Sequence, residues 1–222
     1  MTSLSVVSFR KRYRPARVVP LFLASVLCVL MLGFRMYLSG NTTFLFLVWN
    51  LFLAWIPFLI SHYLVNLSKP KWWQIGILSS IWLLFLPNAP YIITDLFHFK
   101  LRAGIPRWMD LVVLISFAWT GLILGLASLR QMQERFFDRL GKWWSQIVLI
   151  AIQFLVSFGV YLGREERWNS WDLWQKPDQL LTNIWQLLSH PRIHDGVYGF
   201  TFFFGLLLII AFYTYAKRPH HS

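Results

Sequence analysis

Asp95 and His98 stand three residues apart, a spacing that would offer a carboxylate and an imidazole as a ligand pair or an acid/base pair. They close the segment Leu86-Pro87-Asn88-Ala89-Pro90-Tyr91-Ile92-Ile93-Thr94-Asp95-Leu96-Phe97-His98. Pro87 and Pro90 remove backbone donors and disfavour helical geometry at the residues before them, so a helix carrying them is expected to break there. The freed carbonyls need partners, because irregular backbone at membrane depth is tolerated only against protein or water. Two readings fit. One is a broken helix that builds a binding site, with Asn88 and Tyr91 against the ligand. The other is a plain helix ending, with Asn88 or Asp95 capping whatever follows.

A second polar stretch is Leu162-Gly163-Arg164-Glu165-Glu166-Arg167-Trp168-Asn169-Ser170-Trp171-Asp172. Arg164 and Arg167, three apart, would share a helical face and hold a phosphate or carboxylate bidentately. Trp168, Asn169 and Trp171 add hydrogen-bonding groups and aromatic walls. Glu165 and Asp172 join Asp95 and His98 as candidate acid/base groups. The plainer alternative is an interfacial belt in which tryptophans anchor while Arg and Glu pair among headgroups. Beyond Pro177, which suits a first helical turn, Leu180, Leu181, Ile184, Trp185 and Leu188 recur at helical spacing. Such a helix would lie along the membrane interface or cap the polar cluster as a lid. His190 and His194 are four apart, but Pro191 between them spoils a helical metal pair, and no metal site is assigned. No cofactor follows from these residues.

The elements that must position these groups follow from where the apolar residues fall. The 222-residue chain is 57% hydrophobic and 14% charged, with a mean hydropathy of +0.52. Soluble domains are about half apolar and about a quarter charged. More telling, the apolar residues come in blocks near the ~20 residues that a membrane-crossing helix requires. Six blocks run over about 20–37, 44–65, 72–93, 109–128, 144–162 and 197–216. The expected architecture is all-α: a polytopic transmembrane helix bundle of about six spans, with an interfacial amphipathic helix in the long loop before the last span. A basic arm (1–19) precedes one transmembrane domain (20–216), and a short tail (217–222) follows it. Five spans plus a re-entrant segment is the alternative, the third block being the least regular.

The net charge of +12 is explained by its distribution. With both termini cytoplasmic, the cytoplasmic pieces carry 13 Lys and Arg, including Arg10, Lys11, Arg12, Arg14 and Arg17, against Glu134 and Asp138. The opposite face carries eight Lys and Arg, Arg35, Lys100, Arg102 and Arg192 among them, against seven acids. This is the positive-inside pattern, and the arm also suits contact with anionic lipid, so no nucleic-acid partner is expected. The first block lacks a good cleavage site and reads as an uncleaved helix. Cys28 is the only cysteine, which excludes an intrachain disulfide. Ala118, Gly121, Gly125 and Ser128, and Gly159 with Gly163, have the spacing of close helix packing. Asp110 opens the fourth block, where an anion is favourable without further purpose. Asn50 and His62, 12 apart, do not form one relay, and ion-coupled transport has little support.

These stretches resemble a family of bacterial membrane proteins, domain-of-unknown-function family 1361. The resemblance is carried by Leu86 to Tyr91 with Thr94, Asp95 and His98, by Asp110, by Tyr161-Leu162-Gly163-Arg164, and by Arg167-Trp168-Asn169-Ser170-Trp171-Asp172. It implies a multi-pass protein of the bacterial cytoplasmic membrane and brings no activity with it. Three functional readings remain open. The first is an extracytoplasmic site that binds or processes an anionic lipid, a carrier-lipid headgroup or a small ligand. The second is a non-catalytic scaffold or complex subunit, and the third a small transporter.

Overall fold

A computed structural model describes residues 18–99, 106–190 and 195–216, the side chain of Asp195 excepted. The arm cations, Lys100, Arg102, Arg192, His194, Lys217 and Arg218 lie outside these. Among the described residues the chain is all helical, and six helical stretches are long and apolar enough to cross a membrane. They comprise α1 (Val18–Ser39), α2 (Phe46–Asn66), α3 (Trp72–Phe85) continued by α4 (Asn88–Thr94), α5 (Arg107–Arg135), α6 (Lys142–Arg164) and α9 (Asp195–Ala216). Between the last two lie the short α7 (Asp172–Gln175) and α8 (Pro177–Ser189). The protein is thus a polytopic helix bundle.

Its outer surface has a lipid-facing character. Leu23, Leu27 and Leu30 of α1 and Phe203, Leu207 and Ile210 of α9 are exposed, as side chains bordering hydrocarbon are. Exposed tryptophans collect at the helix ends: Trp72, Trp73, Trp143 and Trp144 at one end, Trp108, Trp174 and Trp185 at the other. Such girdles mark the two membrane interfaces. The first end also carries Lys69, Lys71 and Lys142 and is called the basic end below. The second, where α4 and α6 finish, is the site end.

α5 is the central helix, packing on α1, α2, α4 and α9. It runs seven residues past Ser128, because the polar residues beyond it satisfy one another. Arg130 donates to Glu134 (2.7 Å) and Gln133 (2.9 Å), the helical i,i+3 and i,i+4 pairings. Ser61, Ser128 and Gln131 form a buried hydrogen-bonded knot between α2 and α5, joined by the Trp82 indole N–H.

The glycines of α5 mark where it touches α4. A Cβ on Gly121 would stand 2.7 Å from Ile92 Cδ1 and 2.8 Å from the backbone oxygen of Ala89. Backbone cannot retreat as a flexible side chain can, so Gly121→Ala is expected to destabilise the detergent-solubilised protein by about 1–3 kcal/mol. Thermal unfolding of the monodisperse fraction measures this. A melting point unchanged from the parent would mean that α4 does not rest on Gly121.

Candidate functional site

The third span bends less than its two prolines suggest. Leu86 and Pro87 keep right-handed helical dihedrals, and Tyr91 N–H bonds Pro87 O at 3.0 Å. The chain therefore runs as one span from Trp72 to His98 with a local irregularity, and it is neither unwound nor re-entrant. The backbone cost is met from nearby. Ala89 N–H turns to Leu86 O (3.2 Å), leaving Phe85 O to accept from Asn88 Nδ2 (2.9 Å). Leu84 O accepts from Ser170 Oγ (3.1 Å), and Asn88 Nδ2 also reaches Ser170 Oγ (3.0 Å). Asn88 thus repairs the turn before it by bonding a carbonyl, and neither its side chain nor that of Asp95 caps the helical segment that follows.

Just beyond, α4 passes into a 3-10 turn (Asp95–His98) that meets the end of α6. Arg164 is the centre of the meeting. Its Nε donates to Thr94 Oγ1 (2.9 Å), its Nη2 to Asp95 Oδ1 (2.7 Å), and its Nη1 lies 3.1 Å from His98 Nε2. The guanidinium also stacks over Tyr91, 4.8 Å from the ring centroid. A guanidinium has no acceptor, so His98 takes this bond through a neutral Nε2 lone pair. The other oxygen of Asp95 accepts from Asn50 Nδ2 (2.8 Å). The ion-paired side chains are 2% (Asp95) and 12% (Arg164) exposed. Asp95, His98, Arg164 and Tyr91 are therefore brought together, with Asn50 added from α2.

Arg167 is not brought there. α6 ends at Arg164, so the two arginines share no helical face. Arg167 instead adopts a left-handed backbone, φ 61°, which turns the chain so that Trp168 N–H closes on Leu162 O at 3.0 Å. Its side chain is exposed, as is that of Glu165. Beyond the turn, Asp172 is buried and accepts from the backbone N–H (2.6 Å) and the side-chain amide (3.2 Å) of Asn169. Trp168 donates to Asn183 of α8 (3.1 Å), which donates to Glu166 (3.0 Å). Trp171 packs edge-on against Trp49. The His190 ring lies 2.9 Å from the Ser189 hydroxyl, away from the Arg164 cluster. No cluster of three or more His, Cys, Asp or Glu appears among the described residues.

Between these walls lies a cavity of about 510 Å³, within the ~300–1,000 Å³ range of small-molecule sites. Its rim is polar: Asn50, Asn88, Tyr91, Trp168, Asn169 and Ser170. Deeper, it runs between Leu83 and Leu84 of α3 and Leu155, Phe158 and Leu162 of α6, as far as Ser80. Leu180 and Ile184 of α8 close it at the site end. α8 is apolar on a second side too, since Leu181, Trp185 and Leu188 are exposed. It joins the cavity wall with one face and leaves the other bare.

A second buried pair escapes the sequence reading. Arg35, placed there among the charges of the face, is fully buried and donates through Nε to Asp110 Oδ1 at 2.9 Å. Its Nη1 bonds Ser39 (3.1 Å) and Asn41, and Phe44 lies under its guanidinium. Asn50 was likewise set aside as an isolated polar residue. The available signal for both was that a polar group inside a membrane block is expected to find a named partner.

The fold defines a multi-pass helical membrane protein with a cleft, polar at its rim, at one end of the helices. A family model described as "Protein of unknown function (DUF1361)" matches residues 49–211, and the chain belongs to that family. No curated protein and no solved structure matches it.

Proposed function

We propose that this protein binds an amphiphile drawn from the bilayer. The head sits among Asn88, Asn169 and Ser170, and the hydrocarbon lies between α3 and α6. The observation that carries this reading is the graded lining of the cavity, amide and hydroxyl at the rim and aliphatic below. From Asn88 to Ser80 is eight residues, about 12 Å of helix, a substantial part of the ~30 Å hydrocarbon core. Ser80 itself is exposed, which supports access from the lipid side.

Binding is favoured over processing because three of the candidate acid/base groups are committed to the fold, and the fourth, Glu165, is exposed and does not line the cavity. Asp95 has both oxygens bonded and His98 faces Arg164. Asp172 holds the turn at Asn169. Lipidomic mass spectrometry of protein purified in mild detergent tests the reading. One lipid class should co-purify above its share of the membrane, and Ser80→Phe, which fills the deep end, should reduce it about tenfold, equivalent to 1.4 kcal/mol. Identical lipid profiles for parent and variant would remove the proposal.

The site end is proposed to face the extracytoplasmic side of a bacterial cytoplasmic membrane, with both termini in the cytoplasm. Support comes from the excess of Lys and Arg in the connections at the opposite end. In a Cys28→Ser background, a cysteine at exposed Asn169 should react with an impermeant maleimide on intact cells, and one at Lys69 should not. The reverse pattern would invert the topology.

A further inference from the structure

We infer that the cavity takes an amphiphile with an uncharged, hydroxyl-bearing head, such as a diacylglycerol or a long-chain alcohol, and discriminates against a phosphate head. This rests on the amphiphile reading above and narrows it.

Charge is the first argument. Among the described residues, no Asp, Glu, Lys, Arg or His lines the cavity. Arg164, at the end of the α6 wall, has all three guanidinium nitrogens engaged by Thr94, His98 and Asp95. It is neutralised by Asp95 and separated from the cavity by the Tyr91 ring it stacks on. Arg167, the other cation that would hold a phosphate, is exposed beyond the helix end. An anion in the cavity would therefore be desolvated without a counter-charge from any described residue, a strongly unfavourable arrangement. Asp172, buried behind Asn169 and outside any ion pair among the described residues, adds repulsion.

Hydrogen-bond polarity is the second argument. Asn88 directs its amide N–H to Phe85 O and Ser170 Oγ, and Asn169 directs its own to the carboxylate of Asp172. A carbonyl and a carboxylate can only accept, so both amide orientations are fixed. The side-chain Oδ1 atoms of Asn88 and Asn169 take no protein hydrogen bond among the described residues, and both residues border the cavity. These two rim amides thus present acceptors, beside a Tyr91 hydroxyl that can donate or accept. An alcohol donates to acceptors; a phosphate, itself rich in acceptors, is mismatched to them.

The test is photolabelling of the full-length protein in phosphatidylcholine nanodiscs. The probes are diacylglycerol, phosphatidic acid and an acylated amine, each bearing the same diazirine acyl chain. Peptides covering residues 80–91 and 155–163 should be labelled by the diacylglycerol at least about tenfold more than by phosphatidic acid, with Ser80→Phe abolishing the labelling. Leu84→Trp is a second filling variant should Ser80→Phe fold poorly. Asn169→Lys, which sets an ammonium beside Asp172, should narrow the gap between the two lipids. Equal or stronger labelling by phosphatidic acid or by the amine, still lost on filling the cavity, would overturn the uncharged head while leaving the amphiphile site intact. Labelling that misses these peptides, or ignores both filling variants, would overturn the site itself.

Discussion

Arg164→Ala is expected to destabilise the protein by about 3–5 kcal/mol, the usual consequence of removing one partner from a buried ion pair. The loss arises less from the missing attraction than from what stays behind. Asp95, 2% exposed, would keep only the amide of Asn50 against its charge. Replacing both members, Asp95→Leu with Arg164→Ala, should therefore cost less than the sum of the single changes. The coupling energy should lie well above the ~0.5 kcal/mol within which independent sites add. Asn50→Leu alone should cost about 1–3 kcal/mol, since it leaves one carboxylate oxygen without a donor. Reversible unfolding of the four proteins in mixed micelles measures the cycle. Additive single changes would mean that Asp95 and Arg164 are not energetically joined.

The second large effect is asymmetric. Asp110→Ala should also cost about 3–5 kcal/mol, because it strands a guanidinium that no solvent reaches. Arg35→Met should cost distinctly less. Among the described residues Arg35 Nη2 is buried without a hydrogen-bond partner, so its removal ends an existing penalty. Asp110 still stands in the first turn of α5, where the helix dipole favours a carboxylate by about 0.3–1 kcal/mol. The order of the two melting points is the readout. Arg35→Met melting at or below Asp110→Ala would refute this account of the pair.

Block length made the spans legible because a helix in lipid has to satisfy its own backbone and present apolar side chains along its whole height. The same criterion lost the last seven residues of α5. Arg130, Gln133 and Glu134 look like a loop to an apolar count, yet they form bonds that keep the helix going. Pro87 and Pro90 were legible as an irregularity but not as a mild one. The repair depends on Ser170, 82 residues from Asn88, and sequence spacing carries no trace of that contact. At the site, the residue types singled out Asp95, His98 and Arg164. Their convergence on one guanidinium depends on the register between α4 and α6, which packing decides. Arg167 was grouped with Arg164 by assuming a helix that in fact stops between them.

The two ion pairs also bear on how the chain is made. Each joins different spans: Arg35 of α1 to Asp110 of α5, and Asp95, just past α4, to Arg164 at the end of α6. During synthesis the first pair becomes available once α5 has emerged, whereas Asp95 waits for α6. A chain halted after α5 would therefore hold, near the membrane interface, a carboxylate with its Asn50 hydrogen bond and without its Arg164 counter-charge. An incomplete bundle thus differs from a finished one by an unpaired charge.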